Sequence, residues 1–236
     1  MKTEAVVLSG GKGKRMGGDV PKQYMELGGY PLIYYTLKAF EESFIDGVIL
    51  VCAEGDEEFC RKELVERYGF EKVRRIVCGG AERYHSVMAG LKVSSAEYVF
   101  IHDGARVFPD EEMLKRLYED VMKYKACVAA VPVKDTIKTA DENGFVKDTP
   151  DRSRLWQIQT PQVFERELIL RAYEKMLKKE NELKAKNINI TDDSMAVEMF
   201  GNVPVKLTMG SYENIKITTP EDMGIAAGIL DKSELK

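Results

Sequence analysis

Four cations crowd the first glycine-rich stretch of this chain. Residues 8–24 read Leu-Ser-Gly-Gly-Lys-Gly-Lys-Arg-Met-Gly-Gly-Asp-Val-Pro-Lys-Gln-Tyr, so Lys12, Lys14 and Arg15 lie among glycines and Lys22 follows them. Glycines such as Gly10, Gly11 and Gly13 let backbone N–H groups close on a ligand, and the basic side chains add positive charge. That combination holds anionic oxygens, above all those of phosphate. A plain strand-to-helix turn with solvated lysines accounts for the glycines but not for Lys22, which stands beyond the loop in Pro21-Lys22-Gln23. Two familiar phosphate loops do not fit. A Walker A loop counted from Gly13 to Gly18 has Asp19 where its lysine belongs. The dinucleotide fingerprint has Met16 at its third glycine, and Glu54, the acid after the second strand, lies well beyond the roughly 20 residues that motif expects.

The chain has 236 residues, 44% of them hydrophobic, and a net charge of −4. That length suits one substantial core and a single domain over 1–236. The acidic balance argues against a nucleic-acid duplex or an anionic membrane as partner, which makes the basic loop a local device for a small anion. Met1-Lys2-Thr3-Glu4 leads straight into an apolar strand, and no apolar run approaches the roughly 20 residues that span a bilayer, so a cytoplasmic location is expected. The four cysteines form no C-x-x-C pair and read as buried reduced thiols; His85 and His102 are too scattered for a histidine-based metal site.

The elements that must position the loop alternate along the chain. Apolar runs predict strands at 4–9, 47–53, 73–78, 98–102 and 127–133. Helical patterns fall between them, at 31–42, 57–68, 82–92 and 110–125. Such interleaving predicts a Rossmann-like α/β fold, a mainly parallel sheet with helices on both faces. Ligands on these sheets sit at the carboxyl ends of the strands, which gathers the Ser9–Met16 loop, the Gly79-Gly80 turn and the His102-Asp103-Gly104 turn onto one edge.

After Val133 the pattern changes. Residues 134–140 and 145–148 flank Asp141-Glu142-Asn143-Gly144, a strong hairpin turn, so 134–156 is expected to form a protruding β-arm. A two-stranded ribbon is marginal alone, which favours packing against a second copy of the chain in a homodimer, with a flap folded back on its own domain as the alternative. A helix is expected over 165–181 with a solvated, Lys- and Glu-rich far end, and another over 191–200 with Thr191 as N-cap. A strand at 205–208 and a final helix from Pro220 complete the chain.

The first loop, G-x-G-x-R-M followed by P-K-Q, resembles the nucleotidyltransferase signature, and further segments join it in order. They are Gly79-Gly80-Ala81-Glu82-Arg83 with Ser86-Val87, Ile101-His102-Asp103-Gly104-Ala105-Arg106, Asp135-Thr136-Ile137-Lys138, Thr160-Pro161-Gln162-Val163-Phe164, Ile190-Thr191-Asp192-Asp193 and Asn214-Ile215-Lys216-Ile217-Thr218 through Asp222. Over nearly its whole length the chain resembles the 2-C-methyl-D-erythritol 4-phosphate cytidylyltransferases of the non-mevalonate isoprenoid pathway. The ribitol-5-phosphate cytidylyltransferases of teichoic acid synthesis are similar in most of these segments, and Asp151-Arg152-Ser153-Arg154-Leu155-Trp156 is closer to the isoprenoid enzymes.

The resemblance implies transfer of a cytidylyl group from CTP to a sugar-alcohol phosphate, with Mg²⁺ bridging the triphosphate. It implies Arg15 and Lys22 as the catalytic cations beside the α-phosphate. Ser9, Gly10, Gly11, Gly13, Lys14, Gly80, Ser86, Asp103 and Gly104 would bind the nucleotide. Arg152, Lys216, Thr136, Arg106 and Thr160 would lie around the acceptor phosphate. Asp103 is the acid expected near the metal, with the capping of its own turn as the plain alternative. Val107 stands where the family usually has proline, and Ser9 where alanine is frequent. The chemistry agrees with the residues present: a phosphate monoester has a second pKa of about 6 and is mostly a dianion near neutrality, so it needs no general base. Three other readings fit less well. An NAD-dependent oxidoreductase would need the missing third glycine. A non-catalytic nucleotide-binding module would be free to lose Arg15, Lys22 or Lys216, all of which are present. A sugar-1-phosphate nucleotidyltransferase should lack the 135–156 ribbon.

Overall fold

The computed structural model describes residues 1–11 and 21–234. In chain order the elements are β1 (Thr3–Leu8), β2 (Glu26–Leu27), β3 (Tyr30–Pro31), α1 (Leu32–Glu42), β4 (Gly47–Cys52), α2 (Glu57–Phe59, continued by a π-helical Cys60–Glu66), β5 (Val73–Cys78), α3 (Arg83–Val93), β6 (Tyr98–Asp103) and α4 (Glu111–Tyr124). They continue with β7 (Ala126–Pro132), β8 (Thr139–Ala140), β9 (Val146–Asp148), β10 (Trp156–Glu165), α5 (Arg166–Lys178), α6 (Glu180–Ala185), α7 (Asp193–Phe200), β11 (Lys206–Met209) and α8 (Pro220–Glu234).

Seven strands form one sheet in the order β11-β7-β10-β6-β1-β4-β5. Six run parallel, and β10 runs antiparallel to both of its neighbours. Strands β4, β6 and β7 are buried along almost their whole length, which is why they read as unbroken apolar runs. Side chains alternate between two cores. Tyr98 and Phe100 join Phe40, Leu50 and Leu117 on the face covered by α1, α2 and α4, while Val99 and Ile101 join Leu91, Phe164, Ile169 and Val197 under α3, α5 and α7. Each fully buried Leu, Ile or Phe contributes about 1.5–3 kcal/mol, so this three-layer packing holds the strand ends rigidly.

Three sequence expectations change. Strand β10 was not foreseen, because Gln157, Gln159, Thr160, Pro161 and Gln162 break any apolar run. Its buried polar residues find partners elsewhere: Gln162 binds Asp192 and the Ser194 N–H, and Gln159 donates to the Ser211 carbonyl. Its register shifts between Ile158 and Gln162, where Pro161 sits. The helix expected over 165–181 is two helices, and its far end is not simply solvated: Leu183 is buried, and Glu180 accepts from Tyr84 at 2.8 Å. The cap of α7 is Asp192, which accepts from the Met195 N–H at 3.0 Å, rather than Thr191. Asp193, in the first turn of α7, is fully buried.

Candidate active site

Backbone hydrogen bonds sew the predicted turns into one edge of the sheet. The Ser9 N–H donates to Val51 O at 2.7 Å, Gly79 N–H to Cys52 O at 2.8 Å, Gly104 N–H to Leu8 O at 2.9 Å and Ile217 N–H to Ala105 O at 2.9 Å. These close approaches explain two of the glycines. A Cβ on Gly10 would stand 3.2 Å from the Cys52 carbonyl, and one on Gly104 would stand 2.8 Å from Leu8 O and 2.6 Å from Ile33 Cδ1. Ser9 is buried; its hydroxyl lies near that of Tyr24 without a well-aligned partner among the described residues, and its carbonyl accepts from Gln23 Nε2 at 2.6 Å. On the Gly79-Gly80 turn, the Gly80 N–H donates to Ser86 Oγ at 3.1 Å, and Glu82 with His85 forms a capping box at the start of α3.

At the tip of β6 the Asp103 carboxylate is the centre of a charged cluster. Its Oδ1 receives Arg83 Nε at 3.2 Å and its Oδ2 receives Lys216 Nζ at 2.7 Å. Burial acts to raise its pKa, but Arg83 and Lys216 overcome that and hold the carboxyl well below the usual carboxylate range. The side chain therefore serves ion pairing rather than capping its turn. Arg83 in turn grips Asp193 with both terminal nitrogens, at 2.7 and 2.8 Å, and Tyr173 donates its hydroxyl to the same carboxylate.

Beneath Asp103 runs an ordered hydrogen-bond chain. Burial lowers the His102 pKa to about 4, so the ring is neutral. Its Nε2 lies 2.9 Å from the Arg106 carbonyl, which only accepts, so Nε2 carries the proton and Nδ1 accepts from the Thr160 hydroxyl at 3.2 Å. Thr160 Oγ1 then accepts the Asp103 N–H at 3.0 Å. His102 is thereby a structural histidine. Arg106 donates to the Asn214 carbonyl at 2.8 Å, Asn214 Nδ2 donates to the Thr160 carbonyl at 2.8 Å, and Lys22 Nζ donates to Ile217 O at 3.0 Å. Lys22, Asp103, Gly104, Arg106, Thr160 and Lys216, far apart in sequence, thus form one connected cluster. Gly13, Lys14 and Arg15 lie outside the described residues.

Lys22, Arg106 and Lys216 give this edge a cationic lining, which suits an anionic ligand. The family model for 2-C-methyl-D-erythritol 4-phosphate cytidylyltransferase matches residues 3–232. This chain belongs to that family. A Lachnospira eligens protein named 2-C-methyl-D-erythritol 4-phosphate cytidylyltransferase is 51% identical over 226 residues, covering 94% of this chain and 96% of that protein. A protein of the same name from Alkaliphilus oremlandii is 46% identical, covering 97% of this chain and 95% of its own length. Among solved structures, the 4-diphosphocytidyl-2C-methyl-D-erythritol synthase of Anaerococcus prevotii superimposes with a TM-score of 0.83 at 36% identity, covering 98% of this chain and 96% of that one.

In this cytidylyltransferase chain the arm stands apart from the cluster. Strands β8 and β9 are exposed at every residue, as are Thr136 and Arg152. Arg152 Nη1 donates to the Lys134 carbonyl at 2.7 Å, which folds the base of the arm on itself. Neither Arg83 nor Tyr173 is legible as a site residue from the sequence, and Asp193 reads there only as an acid of a helix's first turn. Arg83 and Asp193 lie inside recognised segments, but nothing in either segment indicates that they meet, and Tyr173 reads as one more apolar position of a helix.

Proposed function

We propose that this chain transfers a cytidylyl group from CTP to 2-C-methyl-D-erythritol 4-phosphate, giving 4-diphosphocytidyl-2-C-methyl-D-erythritol and pyrophosphate. The observation that carries this reading is the cationic sheet edge of a family member whose net charge is −4, with Lys216 and Arg106 beside Asp103 and Lys22 on the adjoining Ile217 carbonyl. An oxygen of the acceptor phosphate attacks the α-phosphorus in line as the bond to the bridging oxygen breaks, and pyrophosphate carries away the electron pair. The acceptor arrives as a dianion, so no base is required, in keeping with a His102 whose two nitrogens are already engaged. The barrier is anion against anion. Lys22 and Arg15 neutralise charge at the α-phosphate and on the leaving pyrophosphate, and the backbone N–H groups of Gly11–Arg15 hold the triphosphate. Ser9, Gly10, Gly80 and Ser86 would read the cytosine with small side chains and backbone groups that suit a pyrimidine. Lys216 and Arg152 hold the acceptor phosphate, with Arg106 and Thr136 beside them; Thr160, whose hydroxyl is taken by His102 and Asp103, supports the site from below.

Asp103 would be the protein's contribution to an Mg²⁺ site, through the lone pairs that its oxygens keep beside Arg83 and Lys216. It is ionised, at the strand tip and slightly exposed, and no three His, Cys, Asp or Glu side chains converge as a metal cage among the described residues. That donor set suits a hard cation held mainly by the CTP phosphates and water, and Mg²⁺ bound there would neutralise phosphate charge. We further propose a homodimer. Ile137, Phe145 and Val146 on the arm are 40, 71 and 64% exposed, more apolar surface than a lone ribbon should leave in water. Two arms packed about a two-fold axis would cover it, each lending Thr136 and Arg152 to its neighbour's crevice. Consumption of CTP and four free cysteines support a cytoplasmic setting, and no helix among the described residues is long and apolar enough to cross a membrane.

The test is pyrophosphate release, crossing CTP, UTP, ATP and GTP with methylerythritol phosphate and ribitol phosphate. The reading predicts turnover chiefly with CTP and methylerythritol phosphate. Preference for ribitol phosphate, or for a purine nucleotide, would overturn it.

A further inference from the structure

We propose that Arg83 is a positioning residue of the acceptor site, which sets the place of Lys216 by orienting the Asp103 carboxylate. The inference rests on the reading of Lys216 as an acceptor-phosphate ligand. The main chain at Asp103 is already fixed, by pairing of β6 with β1 and by its N–H bond to Thr160. What remains free is the rotation of its carboxylate. Arg83 removes that freedom by giving Nε to Oδ1, which turns Oδ2 toward Lys216 Nζ, 2.7 Å away.

Arg83 can do this because its own fork is locked from behind. Asp193 is fully buried and takes both Nη groups of Arg83, together with the Tyr173 hydroxyl. Burial and the Asp193 charge push that phenol well above its ordinary pKa, so it stays a donor. A bidentate guanidinium–carboxylate pair is planar and directional, and the third N–H of Arg83 then points in a fixed direction. The first residues of α3 and α7 and the last of β6 meet in this one contact. Two carboxylates and two cations balance within it, so losing any member leaves a charge of the cluster uncompensated. Lysine at position 83 would keep the charge but has a single nitrogen, which cannot hold Asp193 in a fork and reach Asp103 as well.

The experiment measures KM for each substrate in Arg83→Lys, in Lys216→Ala and in the double variant, with melting temperatures as a fold control. Arg83→Lys should raise the acceptor KM by about tenfold and leave the CTP KM within about twofold. In the Lys216→Ala background the same change should move the acceptor KM by less than about twofold, because there is no lysine left to place. An equal loss in both backgrounds would overturn the proposal and make Arg83 a purely structural residue. If Lys216→Ala alone leaves the acceptor KM unchanged, the acceptor-site reading fails and the proposal falls with it. Should Arg83→Lys not fold, Tyr173→Phe, which removes one donor from Asp193, substitutes for it: a smaller rise in acceptor KM that vanishes without Lys216 supports the proposal, and no rise overturns it.

Discussion

Replacing Thr160 with valine keeps its shape and removes one hydroxyl that performs two tasks. In the native chain that hydroxyl donates to His102 Nδ1 at 3.2 Å and accepts the Asp103 N–H at 3.0 Å, in a position only 4% exposed. Valine would leave both groups buried without partners. An unsatisfied buried donor or acceptor costs about 1–3 kcal/mol, and two that share one site are not fully additive. Thr160→Val should therefore destabilise by roughly 2–4 kcal/mol, which in a chain of this size lowers the melting temperature by roughly 5–15 °C. Thr160→Ser retains the hydroxyl and should lose only the methyl contact, about 1 kcal/mol. Urea unfolding of the three proteins at pH 7 decides the matter. If valine proves as stable as serine, the hydrogen-bond chain from Arg106 through His102 and Thr160 to Asp103 is not the support described here.

Other expectations follow from the same geometry. Arg15→Ala and Lys22→Ala should each reduce kcat by about 10²–10³. Loss of the Lys22 bond to the Ile217 carbonyl costs about 1 kcal/mol of stability, and turnover near wild type in Lys22→Ala would refute its catalytic role. Arg152→Lys should raise the acceptor KM while sparing CTP, and a fall in CTP affinity instead would move Arg152 to the nucleotide site. Inactive Lys22→Ala and Arg152→Ala chains, mixed under conditions of proven subunit exchange, should regain part of the activity, and a mixture that stays inactive would place the acceptor site within one chain. His102 takes up its proton near pH 4 when folded and near 6.5 when unfolded, so the unfolded state binds more protons between those values. Its contribution is whole above pH 6.5 and shrinks as pH falls. From pH 7 to pH 5 the loss should be roughly 2 kcal/mol, and a His102→Gln variant with an equal loss would show that another group is responsible.

What the sequence made legible were features written locally. The glycine loop with its cations, the strand-helix alternation and the hairpin signal at Asn143-Gly144 each depend on neighbours within a few residues. The parallel pairing among β5, β4, β1 and β6 follows from that alternation, and their order comes from the fold. What stayed hidden depends on distant partners. Gln159, Thr160 and Gln162 look like loop residues until Ser211, His102, Asp192 and the Ser194 N–H supply their bonds, and β10 is a central strand for that reason. Asp193 reads as a helix-start acid because only the fold brings Arg83 and Tyr173 to it from 110 and 20 residues away. The short turn of β2 and β3 was missed too. Gly28 and Gly29 there have φ of 55° and 83°, and the following Pro31 is the N-cap of α1 rather than part of its first turn.

An oxygen of the acceptor phosphate should become the bridge to the α-phosphorus of CTP, and methylerythritol phosphate carrying ¹⁸O in its phosphate group, followed into the products by ³¹P NMR, tests this. All of the label should appear in the diphosphate of the cytidylyl product, including its bridging position, and none in the released pyrophosphate. Label in pyrophosphate, or a bridging oxygen that comes from CTP, would contradict it.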